Sequence, residues 1–564
     1  MIDPKKTKLF ISLLLLSFLT GGIASADSIT DVRTDVKAEM NKISNRAQRS
    51  TEDYQNSLSY YKYSRYKNIA QPKSDISVET KKEESEAGEL QFEVKEIRVT
   101  PSKLLSQEDI VKAIHFKGAG PMTVTELNDM VDRLNALYQE KGILTAQAVL
   151  PPQKVQDGIV YIRLIEGTYG KTIVTGNHRI AEDTLLHRIQ TVHGELVNVD
   201  VLQDQLRTYN STNTYPVQAQ LVPGDEEGTS DVLLTVEEPE NPVTSFIFAD
   251  NAGQKESGRY RIGAYSEYRG IGGHDASLAV TPVWTEGTWG GSLMYDTPWG
   301  HHGTRASISY SRNLVDIIDG AFKDFDMKAN SNDVALSITH PLHITELSKV
   351  DVFLEGHRKW SDTTFLDGQK MADNETRTIK AGISARSFDE NGLWFAMASV
   401  TGYKNEDRFW HKDNNGSYYS CYLMRRQNLP HDRYLLYRLY GQYTAFQELP
   451  STEQFSLGGM SSIRGFKEGL LSGDKGWALG WEYGFPLSQN HQTWRSFLFL
   501  DHGVSYNNFS TAGTQKDFLT STGLGLEYSK NGWYGKVVYG IPLNHSEQIE
   551  SQHPRIHFYL QRNL

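Results

Sequence analysis

Apolar and polar residues alternate in short, aromatic-rich segments throughout the second half of this chain, as in residues 259–268, 304–310 and 434–443. Successive side chains of an extended strand point to opposite faces, so the pattern predicts strands with one face on apolar material and the other on water. After the proline-bearing stretch 237–242 the chain reads as strand upon strand. Proposed lipid-facing series are Ala276, Leu278, Val280; Ala306, Ile308, Tyr310; Val334, Leu336, Ile338; and Leu435, Tyr437, Leu439. Four more residues, Trp477, Leu479, Trp481 and Tyr483, continue the pattern, followed by Leu524, Leu526, Tyr528 and by Val537, Tyr539, Ile541. Trp284, Trp289, Trp299, Trp394 and Trp533 stand near segment ends, where aromatic girdles meet the membrane surface. At about twenty residues per strand and connection, the remaining length predicts roughly sixteen strands closing into a barrel in an outer membrane. A barrel of that size encloses a lumen wide enough to need a plug.

The first half reads differently. Lys5, Lys6 and Lys8, the apolar run 9–19 and the small residues Ala24 and Ala26 predict an export signal over 1–26. Residues 29–50 predict one polar helix whose only apolar stripe is Val32, Val36, Met40 and Ile43. Such a narrow stripe suits a helix lying in a polar channel or docked reversibly on a surface. Residues 51–88 lack a sustained apolar period and carry the charged run 81–86, which predicts a flexible linker.

Two compact units follow with the same element order, β-α-α-β-β. In the first, 92–99 is one strand, a helix starts at Ser106 as N-cap, and 125–138 is a second helix with Leu127, Met130, Val131, Leu134 and Leu137 on one side. Strands at 146–150 and 158–165 complete it. The second unit has strands at 170–174, 217–222 and 230–236 and helices at 181–189 and 199–210. Two copies of about seventy residues constitute an internal repeat. Each is expected to keep an exposed sheet edge able to accept an extended segment of another chain.

Composition narrows the classes. With 58 basic and 69 acidic side chains the formal net charge is −11, which argues against a nucleic-acid partner. Mean hydropathy of −0.49 is too low for a helical membrane protein, yet fits a barrel in which alternate residues face water. The single Cys421 excludes an internal disulfide framework and a cysteine-based metal site. The 17 histidines show no ligand spacing, His301 and His302 fall in a predicted turn, and no nucleophile motif or phosphate loop is present. No catalytic residue, metal or cofactor is therefore assigned.

Two segments carry the functional expectation. Residues 455–466 combine paired glycines, small residues and Arg464 between Ile463 and Gly465, followed by Phe466. The glycines permit a sharp turn or close approach to a wall, and an arginine in a protein-lined lumen needs a partner. In residues 497–504, Asp501 shares a strand face with Phe497, Phe499 and Gly503, while Leu498 and Leu500 share the other. If the leucines face lipid, Asp501 points inward, where an ionic contact with Arg464 would pin a long loop to the wall. Two unrelated solvated charges are the competing reading.

The run 463–466, Ile-Arg-Gly-Phe, and the run 499–503, Phe-Leu-Asp-His-Gly, together resemble the loop tip and inner-wall motifs of the two-partner secretion outer-membrane transporters, a family within the Omp85 superfamily. The resemblance implies a signal peptide at 1–26, a plug helix at 27–50, a flexible linker at 51–90 and two POTRA domains at 91–166 and 167–239. It further implies a sixteen-stranded antiparallel transmembrane β-barrel over 240–564, with a loop around 450–475 folded inward. In such transporters the loop arginine meets the wall aspartate, which brings Arg464, Gly465 and Phe466 against Asp501 and Gly503, and the N-terminal helix closes the resting pore. The implied partner is a large secreted exoprotein with an N-terminal secretion domain, bound unfolded by the POTRA units in the periplasm and exported without nucleotide hydrolysis. The implied setting is outer-membrane lipid, with the transporter a monomer. The chain departs from the family in ending on Leu564 instead of the usual aromatic. A barrel-assembly factor of the same superfamily and a passive porin remain the alternatives.

Overall fold

The computed structural model describes the backbone of residues 76–78 and all of 91–564 except 144, 321, 367, 410, 446, 488–492, 509–515 and 545–552. The expected signal and plug helix, with Val32, Val36, Met40 and Ile43, lie outside the described residues, as does nearly all of the expected linker.

In linker territory the chain forms one short strand, β1 (Ile76–Val78). The first repeat comprises β2 (Gln91–Val94), β3 (Glu96–Val99), α1 (Gln107–Ile114), β4 (Gly120–Thr123), α2 (Val124–Glu140), β5 (Ala146–Val149) and β6 (Ile159–Glu166). Local chemistry sets both helix starts. Ser106 accepts a hydrogen bond from the Asp109 amide, and at α2 Thr123 and Glu126 form a reciprocal capping box. Leu127, Met130, Val131, Leu134 and Tyr138 recur at helical spacing and are buried in this unit's core, with Leu137 only partly covered. The expected single strand over 92–99 is divided at Lys95. The amides of Lys95 and Glu96 both turn to the Gly158 carbonyl, so β2 pairs with β4 while β3 joins β6.

The second repeat comprises β7 (Thr168–Thr175), α3 (Glu182–Leu186), α4 (Val199–Thr212), β8 (Val217–Pro223) and β9 (Thr229–Val236). Its first helix is far shorter than the expected 181–189. Ala181 offers no side-chain cap, and the chain turns after Leu186 to bury Ile189. The sheet of this unit gains a strand from linker territory. β1 lies parallel on β8, with Ile76 opposite Ala219 and Val78 opposite Leu221, so the sheet runs β1-β8-β9-β7 and its edge strands are β1 and β7.

The remainder closes into a barrel of sixteen antiparallel strands. In order they are β10 (Val243–Asp250), β11 (Arg261–Ile271), β12 (Ala276–Trp284), β13 (Thr288–Trp299), β14 (Thr304–Asp316) and β15 (Lys328–Ile344), then β16 (Ser348–Phe365), β17 (Gln369–Asp389), β18 (Gly392–Asp407), β19 (Lys412–Leu429) and β20 (Arg433–Tyr443). A hairpin of β21 (Phe455–Leu457) and β22 (Leu471–Gly473) interrupts the series, which ends with β23 (Lys475–Pro486), β24 (Trp494–Tyr506), β25 (Lys516–Lys530), β26 (Trp533–Pro542) and β27 (Arg555–Asn563). β27 closes on β10, with Tyr559 opposite Asp250, and so removes both sheet edges. Among the described residues no helix is long and apolar enough to cross a membrane; the crossing is made by strands.

The proposed lipid-facing series point outward with one exception. Leu278, Ile308, Leu336, Leu479, Leu524 and Val537 are exposed, as are the girdle residues Trp284, Trp289, Trp299, Trp394 and Trp533. Ala276 instead is fully buried, because it follows Asp275 at the register shift where the second repeat docks.

That docking is polar and specific. The Gly273 carbonyl accepts from the Ala181 amide and the Thr184 hydroxyl, and the His301 ring donates to the His187 carbonyl. Asp275, buried at 1% exposure, accepts from the Thr214 amide (2.8 Å) and from Arg305, which also donates to the Thr212 carbonyl (2.9 Å). Asp275→Ala is expected to cost this joint about 1–3 kcal/mol. It should speed hydrogen exchange at the Thr214 amide and broaden spin-label distances between repeat and barrel; an unchanged distance distribution would place the joint's strength elsewhere.

Candidate functional site

The connection from β20 to β23 folds into the lumen instead of extending beyond the barrel. Its hairpin and tip pack a small apolar cluster of Phe455, Leu457, Ile463, Phe466 and Leu471 against Ala478 of β23 and Leu519 of β25. Gly458 and Gly459 take positive φ (109° and 99°), which L side chains rarely adopt, and this turns the chain toward the wall. The turn is closed by the Gly458 amide donating to Ser462 Oγ and the Met460 amide donating to Glu468 Oε1.

Arg464 stands at the tip with 1% of its surface exposed. Its Nε donates to Asp501 Oδ2 and its Nη2 to Asp501 Oδ1, both at 2.8 Å, while its backbone amide adds a third bond to Oδ2 at 3.1 Å. The remaining arm donates from Nη1 to Glu482 Oε2 at 2.6 Å. The guanidinium plane lies 3.8 Å from the Phe499 ring centroid. Buried charge is tolerated only when every donor and acceptor is engaged, and here a planar fork meets one carboxylate bidentately and a second one end-on.

The wall is shaped to receive the tip. A Cβ on Gly503 would lie 2.9 Å from Leu457 Cδ2 and 3.2 Å from Ile463 Cδ1, and one on Gly540 only 2.3 Å from the Arg464 carbonyl oxygen. That carbonyl accepts from His557 Nε2 on β27 at 2.9 Å, and the Gly465 amide donates to Ser521 Oγ on β25 at 3.1 Å. The tip therefore touches five consecutive wall strands, β23 to β27, and reaches the strand that closes the barrel.

The structure thus brings Arg464, Gly465, Phe466, Asp501 and Gly503 together. It adds Glu482, Ser521, Gly540 and His557, which sequence reasoning missed. For Glu482 and His557 a signal existed: Trp477, Leu479 and Trp481 face outward, so alternation turns Glu482 inward, and Ile556 and Leu560 do the same for His557. A second anchor also went unpredicted. Glu453, at the loop's shoulder, is buried, and it accepts from Lys359 of β16 (3.1 Å) and Tyr418 of β19 (2.8 Å) across the lumen from the tip. Beside the loop the lumen retains a cavity of about 740 Å³. Among the described residues no group of three metal-ligating side chains converges.

Comparison with known proteins gives the family and the fold. Residues 228–528 match the family described as haemolysin secretion/activation protein ShlB/FhaC/HecB, and residues 92–167 match the ShlB-type POTRA domain. The heme/hemopexin transporter protein HuxB of Haemophilus influenzae is 24% identical over 459 residues, covering 77% of this chain and 80% of that one. The outer membrane transporter CdiB of Escherichia coli is 25% identical, covering 78% and 76%. Among solved structures, CdiB from Escherichia coli superposes with a TM-score of 0.66 at 20% identity, over 92% of this chain and 99% of that one. BamA from Haemophilus ducreyi reaches 0.53 at 15% identity, over 84% and 100%.

Removing one partner of a buried pair leaves the other charge stranded, at about 3–5 kcal/mol. Asp501→Ala is therefore expected to release the tip and expose residues 458–470 to protease, while the barrel keeps its heat-modifiable gel mobility. A loop as resistant as that of the parent chain would show that Asp501 does not hold it.

Proposed function

The chain belongs to the haemolysin secretion/activation protein family ShlB/FhaC/HecB and is an outer-membrane transporter of two-partner secretion; on that premise we propose how its parts divide the work. The barrel is the translocation pore, spanning the outer membrane with its POTRA repeats in the periplasm. The cargo is a large exoprotein that arrives unfolded and presents an N-terminal secretion domain to the two repeats. An extended segment adds to a strand edge through main-chain hydrogen bonds, a contact suited to an unfolded chain. Because β1 covers the β8 edge, the cargo displaces it or uses another edge.

The inward loop is the element on which this reading turns. Arg464 holds it to the wall at one end and Glu453 at the other, so the loop acts as a fixed partition of the lumen. Residues 27–50 form the plug that fills the remaining passage at rest, with Val32, Val36, Met40 and Ile43 against its walls. Cargo binding draws that helix out, and folding at the cell surface prevents each exported segment from sliding back. No nucleotide or bound cofactor enters this cycle, and the transporter works as a monomer. The relatives' names cover heme/hemopexin and hemolysin transport, so the cargo here is assigned only as an exported partner protein. The BamA likeness reflects shared fold, while the family match favours export over barrel assembly.

Deleting residues 29–50 should raise ion conductance in planar bilayers, and unchanged conductance would remove the plug assignment. Arg464→Ala should cut export of the partner exoprotein sharply while the barrel still inserts; normal export would show that the pinned loop is dispensable.

A further inference from the structure

A cationic cluster lies outside the lumen, on the outward face of the barrel, and plays no part in the site above. Turns that contact the second repeat mark the periplasmic end, so the connections following β16 and β18 lie at the opposite, external end. On β17 the exposed Ile379 and Ile383 define the lipid side, and alternation carries Arg377 and Glu375 onto it. The same reasoning places Arg358 and Trp360 in line with Leu354 of β16, and Lys404 and Glu406 in line with Val400 of β18.

Register then sets three cations in a row. Arg358 is directly opposite Arg377, and Arg377 directly opposite Lys404. Like charges facing each other across strands repel. The row lies two residues outward of Ile379, about 7 Å along the strand. That places it where a charge facing lipid costs about 0–1 kcal/mol, far less than at the bilayer midplane.

The carboxylates present do not balance the row. Glu375 accepts from Arg358 Nε (2.8 Å) and Arg377 Nε (2.7 Å), and also from Arg408 in the external connection. These three guanidinium groups seal its side chain to 0% exposure while each keeps about half of its own side-chain surface open, at 52, 50 and 49%. Lys404 pairs with Glu406 at 3.0 Å. Asp362 and Asp373 lie farther out, engaged by Asn330 and Lys370. Within the row four cations share Glu375 and Glu406; counting outward, Lys370 adds a cation and Asp362 and Asp373 two carboxylates, so five cations face four carboxylates. Arg358 stacks over Trp360 with 4.8 Å to the ring centroid. Open guanidinium forks fixed at membrane-surface level form a phosphate-binding geometry, with the aromatic ring as a floor.

We propose that Arg358, Arg377, Arg408 and Lys404 form a binding site for the phosphorylated headgroup of an outer-leaflet glycolipid. The buried Glu375 is its positioning residue, holding three arginines splayed so that their outer edges meet the phosphate. The site anchors the external half of β16 to β18 and fixes the barrel's depth in the asymmetric membrane. It rests on the outer-membrane location and is independent of how cargo is moved.

The test uses the full mature chain in a neutral detergent, with diphosphoryl lipid A and its fully dephosphorylated counterpart as probes, read by native mass spectrometry. The parent chain should prefer the diphosphoryl lipid by about tenfold or more. Equal binding of the two lipids in the parent chain overturns the proposal regardless of any variant. So does displacement of the lipid by inorganic phosphate at comparable concentration, which would assign the site to a free anion. A combined Arg358→Gln, Arg377→Gln, Arg408→Gln and Glu375→Gln chain, which leaves no buried carboxylate unpaired, should lose the preference. Retention of the preference by that folded chain also overturns it. If the combined chain fails to fold, Arg377→Gln alone should weaken the preference several-fold, and an unchanged ratio counts against the site.

Discussion

Everything inside this barrel is organised around one buried guanidinium. Arg464 is almost without contact with water, and its desolvation is offset only because Asp501 and Glu482 occupy its fork and Phe499 covers its face. A charge in that position cannot be partly satisfied. Side chain and backbone amide bond the wall together, so the tip is held by several bonds at once. The same bonds join the tip to β23, β24, β25, β26 and β27, so the loop also braces the wall beside the closing seam.

The opposite end of the loop repeats the principle with different chemistry. Glu453 is a buried acid held by an ammonium and a phenol from strands far around the barrel, Lys359 on β16 and Tyr418 on β19. Asp474, at the loop's exit, accepts from the Leu449 and Asn508 amides and so ties the loop's root to the next external connection. An inward loop held at tip, shoulder and root cannot drift, and it divides the lumen without filling it. A cavity of about 740 Å³ remains beside it.

Outside the lumen, contacts are arranged by level. At the periplasmic end Asp275 and Arg305 fix the second repeat to the turns it touches, using buried hydrogen bonds that set a direction as well as a distance. At the external end the barrel displays arginines to its surroundings. Between them the outward face carries leucine, isoleucine, valine and aromatic side chains. Only alternate strand residues face lipid, while rims, connections and much of the lumen are polar, which is why its mean hydropathy of −0.49 misrepresents where it resides.

Alternation of side chains is a local property, so the sequence alone determined the strands, their outward faces, the two repeats, and the inward direction of Asp501 and Phe499. Capping at Ser106 was legible for the same reason, since an N-cap bonds within a single turn of its own helix. What local pattern cannot carry is pairing across distance. The division at Lys95 follows from a carbonyl at Gly158, the covering of β8 by β1 from a segment well over a hundred residues away, and the burial of Ala276 accompanies a register shift between β11 and β12. The Arg464 site shows both sides: its two motifs announced themselves as sequence, but Glu482 and His557 joined them only through barrel register. Closure of the sheet decided that last step, because only a closed barrel brings strands β23 to β27 around one loop tip.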